Sequence, residues 1–527
     1  MTGRVVIVGA GLGGLSAACH LAGRGVDVTV LERSDHPGGR AGLLERDGYR
    51  FDTGPAVLTM LGVMEDTFAA AGADLDDHLD LIRLDPAYRA RFADGSSVPV
   101  RASQEDMREE LRVFAGESAA DGFDAFVAWL RRLFDLEFTD FIDRDYSSLA
   151  SLLRQPAAVA RLAAAGGFGR LQPAVDRFFD DPRLQRLFSF QAMYAGMSPM
   201  RALAMYSVIT YLDTVQGVYF PRGGVHELAS GLARAARDAG ADLRLGVEVE
   251  AITPAGSGVP ARVHTSGGTL DAEAIVANPD LPAVYDRLVE VDAPRRLRRG
   301  HYSPSCLLWL VGGRRPDGAA PAHHTIDFGA AWSRTFAELL DEGRPQSDPS
   351  RFVTTPSVTD PGLAPAGRDV LHVLEPVPNL QAGLDWRSLE PQLTERMLTW
   401  LSGSGHLEGS PEVLHSISPV DWAAQGMAAG TPFSLDHRFT QTGPLRPALT
   451  DRRLPGVVFV GSSTRPGVGV PMVLLSGRLA ADRVMERLAP RSAGSHRPGR
   501  QRPGWQDPGL QQATSVAERD RESPRAS

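Results

Sequence analysis

The chain has 527 residues, 43% of them hydrophobic and 23% charged, with a formal net charge of −9. That length allows two or more domains with their own cores, and the balance is ordinary for a soluble globular protein. The acidic total excludes a global basic field for nucleic acid, and no run of ~18 uninterrupted apolar residues is present to span a bilayer.

Val5, Val6, Ile7 and Val8 form a β-branched run that reads as a buried parallel strand. Gly9, Gly11 and Gly14 follow with G-x-G-x-x-G spacing, Gly13 lies within it, and residues 15–21 carry a helical apolar pattern. Residues 28–31 read as a second strand, ending on Glu32. Each part suits a dinucleotide. Gly9 allows the tight turn, Gly11 a close approach to pyrophosphate, and Gly14 close packing of helix on strand. The helix N-terminus offers free N–H groups to phosphate, and Glu32 stands where a carboxylate accepts from a ribose diol. Arg33, Gly38, Gly39 and Arg40 add a second glycine approach and guanidinium groups. Gly54 and Pro55 end a further segment, 51–55, that a nicotinamide fingerprint does not need. These additions point to FAD.

Residues 84–100 read as a β-hairpin, 90–92 pairing with 97–100 across the turn 93–96. Residues 104–214 are helical in pattern, divided by Pro156, Pro173, Pro182 and Pro199. Within them Phe123, Phe126, Trp129, Leu130, Leu133, Phe134, Phe138 and Phe141 recur at near-helical spacing, with Arg131, Arg132 and Arg144 nearby. Such a face suits an interfacial helix; core packing is the preferred reading for any single residue. A helix through Ala239 and a strand at 246–252 come next. Mixed-sheet strands are expected near 305–311, 352–358 and 370–374. A strand at 456–461, a loop at 462–469 and a helix ending near Leu488 follow. Beyond Pro490 the composition turns to Pro, Arg, Gly, Ser and Gln, and disorder is expected. The 2 cysteines, Cys19 and Cys306, read as buried free thiols of a reducing cytosol, and no metal site is expected. All 55 basic residues under Lys+Arg are arginines. A lysine Schiff base or P-loop lysine is therefore excluded.

The Glu32-Arg33…Gly38-Gly39-Arg40 segment resembles the flavin amine oxidase and carotenoid desaturase superfamily. Residues 460–478, V-G-S-S-T-R-P-G-V-G-V-P-M-V-L-L-S-G-R, are similar to the C-terminal signature of bacterial-type phytoene desaturases. Stretches 220–224, 274–280, 323–329 and 374–379 match as well, so the resemblance runs from Val5 to about Leu488. Pattern and resemblance together imply an α/β chain, a Rossmann-type FAD-binding domain interleaved with a mixed-sheet substrate domain and a helical subdomain. The expected segments are 1–100, 219–300 and 454–489 for FAD, 101–218 helical and membrane-docking, 301–453 for substrate, and 490–527 as tail. FAD is expected to be noncovalent. The expected contacts are Gly9, Gly11, Gly13, Gly14, Glu32, Arg33, Gly39, Arg40, Gly54 and Pro55, the backbone of Val249, and Gly461, Gly469, Pro471 and Met472.

The activity the resemblance implies is FAD-dependent desaturation of phytoene or a related acyclic carotenoid toward lycopene-type products. The alternatives are a 3,4-desaturase, ketolase or isomerase, or a non-redox prenyl-chain escort protein. Ser462-Ser463-Thr464-Arg465 and Met472 depart from the pattern common in phytoene desaturases and leave the exact carotenoid open. Absence of lysine argues against a polyamine or monoamine oxidase, whose lysine–water–flavin arrangement needs one. A hydrocarbon substrate requires a long apolar tunnel. It also implies a cytoplasmic protein peripherally associated with a membrane surface, with a quinone or O2 as final electron acceptor. No proton acceptor is named. Asp140, Asp143 and Asp145 read as a solvated acidic turn, and His323 and His324 as structural histidines.

Overall fold

A computed structural model describes residues 3–138, 156–318 and 321–489. The chain is α/β, built around two large sheets. The first has five parallel strands in the order Val457–Phe459, Ala274–Ala277, Val5–Val8, Val28–Leu31 and Asp242–Arg244. Its three central strands are buried at every position, as a parallel sheet covered on both faces requires. The helices Leu12–Ala22 and Val470–Leu488 pack on each other beside it. Asp52 ties a further helix down: its carboxylate accepts the N–H groups of Val225 and His226, both at 2.8 Å, where His226–Asp238 begins.

The second sheet has seven strands in the order Glu408–Ile417, Ser305–Arg314, Arg368–Val377, Arg351–Thr354, His324–Phe328, Tyr88–Phe92 and Ser97–Val100. All neighbours are antiparallel except His324–Phe328 and Tyr88–Phe92. The hairpin expected at 84–100 forms over Tyr88–Val100, with Ala90 opposite Val98. Thr325–Phe328 pairs with Arg89–Phe92 and places the hairpin in the seven-stranded sheet, not in the parallel one. The strand expected at 352–358 stops at Thr354, since Pro356 opens a 3-10 turn, Pro356–Val358. The strand expected at 246–252 runs Val249–Thr253.

The helical region holds Gln104–Ala115, Glu117–Glu137, Pro156–Ala164, Leu171–Val175 and Pro182–Leu187. Pro156 and Pro182 stand at the first helical position, where a missing N–H costs nothing. The aromatic stripe faces inward. Phe123, Phe126, Leu130, Leu133, Phe134 and Phe138 are buried, and Phe126 meets the rings of Phe178, Phe179 and Phe188. Trp129 is held by an indole N–H bond of 2.9 Å to the Ala165 carbonyl. The proposed docking face is thus core: apolar rings at helical spacing are buried by whatever helix lies opposite, here the 171–188 segment. Phe141, Arg144, Asp140, Asp143, Asp145 and the tail 490–527 lie outside the described residues. Among the described residues no helix is long and apolar enough to cross a membrane.

Candidate functional site

The carboxyl ends of the parallel strands form a cradle. Glu32, 7% exposed, accepts the Ala10 N–H at 2.7 Å and the Ser34 N–H at 2.9 Å, one on each oxygen. A carboxylate has about four lone-pair directions, so acceptor capacity remains for a diol. Val247 N–H donates to the Glu32 carbonyl at 2.8 Å, bringing Glu248 and Val249 to the same wall. A Cβ on Gly11 would lie 2.6 Å from Asn278 Nδ2, and one on Gly14 2.2 Å from the Gly9 carbonyl. The backbone at the start of Leu12–Ala22 is therefore bare, as contact with a pyrophosphate demands. Gly38 N–H donates to the Ala10 carbonyl at 2.9 Å and places the second glycine pair beside the first turn.

The far end of the chain closes this cradle. Arg40 bonds the Ser462 hydroxyl and lies 3.4 Å from Asp280. Asp280 also accepts from the Ser463 hydroxyl and, at 2.9 Å, from the Ala428 N–H. Ser434, at φ 60°, brings its hydroxyl to Ser462 at 2.8 Å and Ser463 at 3.1 Å. The fully buried Arg446 donates to the carbonyls of Ser462 at 2.6 Å, Thr464 at 3.1 Å, Leu435 at 3.3 Å and Gln441 at 3.4 Å. Gly469 starts the last helix with no side-chain cap, and Pro471 occupies its first turn. The positive end of that helix dipole meets the cavity beside Met472.

One cavity of about 1080 Å3 joins the cradle to an apolar chamber. Gly9, Gly11, Gly13, Glu32, Arg33, Gly39, Arg40, Gly54, Pro55, Val249, Gly461, Gly469, Pro471 and Met472 all line it. Gly14 does not; it acts one layer behind, in helix–strand packing. The chamber is walled by Phe190, Ile209, Ile326, Phe328, Trp332 and Phe433 among others. Beyond the cradle, Glu137, Asp213, His437, Tyr206 and Arg351 reach it, each less than a tenth exposed, together with half-buried Tyr194 and exposed His415. Cys306 lines it too, with burial pushing its thiol up to about 12. Among the described residues no group of His, Cys, Asp and Glu could hold a metal ion.

His323 and His324 do not line the cavity. With His372 they form a buried cluster, His323 and His324 bonded to Thr359 and Thr354 at 2.7 and 3.0 Å. Burial, reinforced by the neighbouring rings, pushes His323 down to about 3 and His324 well below its usual value; burial alone pushes His372 to about 4. The unfolded chain takes up protons near pH 6.5 that the folded chain refuses. Stability present above that pH is therefore lost as pH falls toward 4. His372 alone accounts for a loss on the order of 3 kcal/mol. Melting curves at pH 7 and pH 4.5 should show a smaller acid loss for His372→Gln than for the parent chain; equal losses would remove His372 from the account.

The sequence matches the family described as "Flavin containing amine oxidoreductase" over residues 12–485. The chain belongs to this family. It is 50% identical to the phytoene dehydrogenase of Streptomyces griseus, over 93% of this chain and 97% of that one. It is 37% identical to the zeta-carotene-forming phytoene desaturase of Myxococcus xanthus, with the same coverage, 93% and 97%. A putrescine oxidase structure with putrescine bound superposes with a TM-score of 0.60 at 16% identity, covering 92% of this chain and 99% of that one. That likeness is one of fold. FAD is the cofactor of the flavin-containing amine oxidoreductase family and fits the cradle described above.

Sequence reasoning passed over Asn278 and Asp280, which directly follow the strand Ala274–Ala277. Their signal was available: polar residues just beyond a buried parallel strand point into the ligand crevice. Glu32 carries a direct test. In Glu32→Gln the single amide oxygen can accept only one of the two backbone N–H groups, and the NH2 faces the other. Charge-assisted bonds are worth roughly 1.5–3 kcal/mol, so FAD affinity should fall at least tenfold while the fold persists. Flavin titration yielding the parent affinity would displace Glu32 from the ribose.

Proposed function

We propose that this flavoenzyme desaturates phytoene or a closely related acyclic carotenoid, introducing C=C bonds into a hydrocarbon chain. The observation that carries this is the cavity itself, nucleotide cradle and apolar chamber in one space, in a chain 50% identical to a phytoene dehydrogenase. FAD supplies the two-electron oxidant. The chain supplies the rest: Glu32, Arg40 and the 461–472 loop hold the cofactor, and the aromatic walls of the chamber exclude water and align a substrate without hydrogen-bonding groups. Expression in a host that accumulates phytoene, followed by pigment analysis, tests the reading. New conjugated pigment is expected; unchanged phytoene with flavin bound would overturn it.

The carotenoid reaches the chamber from a lipid surface, and a quinone or O2 would serve as the final electron acceptor. Phe168 and Phe439 support the lipid route. They are 39% and 60% exposed yet line the cavity, so they mark its opening. Burying an aromatic side chain is worth about 1.5–3 kcal/mol. Removing both as Phe168→Ser/Phe439→Ser should cut liposome flotation by about tenfold or more with little change in melting temperature. Equal flotation by the folded double variant would place the docking surface elsewhere.

A further inference from the structure

The desaturation proposed above needs a proton acceptor as well as an oxidant. On one carbon a C–H bond breaks and its hydrogen leaves with the electron pair, reducing the oxidant FAD supplies. On the next carbon a C–H bond breaks, its electron pair closes the new C=C bond, and a proton must go to the protein. We propose that Asp213 receives that proton.

Asp213 lines the cavity and is 3% exposed. It sits on a π-helical turn, Leu212–Gln216, that continues the short helix Val208–Tyr211. Such turns widen a helix to re-aim a side chain and concentrate at functional sites. The following segment is fixed to the cradle side of the cavity, because Tyr219 N–H donates to the Leu58 carbonyl at 2.9 Å, four residues beyond Gly54. No ion pair among the described residues involves Asp213. Its carboxylate is instead held by neutral donors: Thr214 Oγ1 at 2.9 Å on one oxygen and Gln191 Nε2 at 3.4 Å on the other. Gln191 Oε1 is buried without a hydrogen-bond partner. Once Asp213 is protonated, rotation of the Gln191 amide presents that oxygen to the new O–H, so one residue serves both protonation states.

His415 also lines the cavity but is exposed, and the two buried alternatives, Glu137 and His437, are less suited. Glu137 has an unpartnered Oε1, and burial pushes its carboxyl well above the usual range, which disfavours the ionised form a base needs. His437 is neutral and buried, pushed well below its usual value by burial and then by the Arg446 charge; it is a weak base. Burial raises Asp213 only to about 7, its neutral donors offsetting part of the effect. That value suits a base working near neutral pH. The titratable groups that sense its charge are Tyr88 on the seven-stranded sheet and Tyr194 on the turn Phe190–Ala195. Burial raises both phenols above their usual range, so both are neutral at that pH.

This inference rests on the desaturase reading. The test compares Asp213→Asn with the parent holoenzyme on phytoene in liposomes, under anaerobic conditions, following flavin bleaching in a single turnover. The variant should retain FAD and its melting temperature while bleaching slows by roughly a hundredfold or more, and Asp213→Glu should recover part of the rate. The infrared spectrum without substrate should show a buried carboxyl titrating near pH 7 that is missing from Asp213→Asn. Should Asp213→Asn fail to fold, Thr214→Val removes the 2.9 Å donor and should move the rate inflection to higher pH. Bleaching of Asp213→Asn within threefold of the parent, no titrating carboxyl, or an unmoved inflection in Thr214→Val would each overturn the assignment. A parent enzyme that converts no carotenoid overturns the functional reading instead.

Discussion

Alanine at position 14 should cost the chain its cofactor. The added Cβ would stand 2.2 Å from the Gly9 carbonyl and 3.3 Å from an Ile7 methyl group. Neither neighbour can yield. Gly9 is backbone at the end of the central strand, and Ile7 is fully buried between two parallel partners. Relief requires the N-terminus of Leu12–Ala22 to lift from the sheet, carrying the phosphate-facing amides away from Glu32 and Asn278. Overpacking of this kind costs about 1–3 kcal/mol in a yielding core, and a rigid backbone contact belongs at the upper end. We expect FAD affinity to drop roughly a hundredfold or more and the apo-protein to melt lower. Equilibrium dialysis with FAD and calorimetry of the apo form measure the two. Binding within threefold of the parent would mean the helix tolerates the shift.

Arg446→Met should be the most damaging single change in the loop over the cofactor. The guanidinium is fully buried and its partners are carbonyl oxygens. Burial lowers it to about 10, with Tyr206, Asp436 and Asp280 pulling the other way, so it remains a cation at neutral pH. Methionine matches part of the volume and none of the five donors. The two shorter bonds, to Ser462 and Thr464, fix the stretch that faces Arg40 and Asp280. Charge-assisted bonds of about 1.5–3 kcal/mol each put the loss near 3–5 kcal/mol. Urea unfolding should show that loss, and FAD should dissociate faster. Arg446→Lys should recover only part, because one ammonium cannot reach four separated carbonyls. A methionine variant with parental stability would show that the loop is held by Ser434 and Asp280 without help.

The cradle was legible because its signal is local: glycine spacing, a β-branched strand and an acid at the next strand end lie within thirty residues. The final loop was legible through resemblance. What stayed hidden depends on distant partners. The aromatic stripe at 123–138 announces an apolar face but not what covers it; the 171–188 segment does. The hairpin at 88–100 announces its own pairing but not its outer neighbour, His324–Phe328. Asp213 and Glu137 look in sequence like any acid on a helix, and only burial marks them. Arg446 reads as one of many surface arginines until its carbonyl partners are known.

The parallel sheet has a temporal consequence. Its edge strand, Val457–Phe459, and the helix Val470–Leu488 that covers it leave the ribosome after every other described element. At 5–20 residues per second, roughly 20–90 s pass between the first strand and the last. Ala274–Ala277 emerges about midway and then lacks its outer neighbour for roughly 9–36 s, while the part of the cavity wall that Ser462 and Met472 form is still missing. The nascent chain thus carries an unpaired apolar strand and an unfilled apolar hollow, the two features that invite aggregation. Slowing translation should hurt the yield of this protein, holdase chaperones should rescue it, and FAD added during synthesis should help only once the last fifty described residues have emerged.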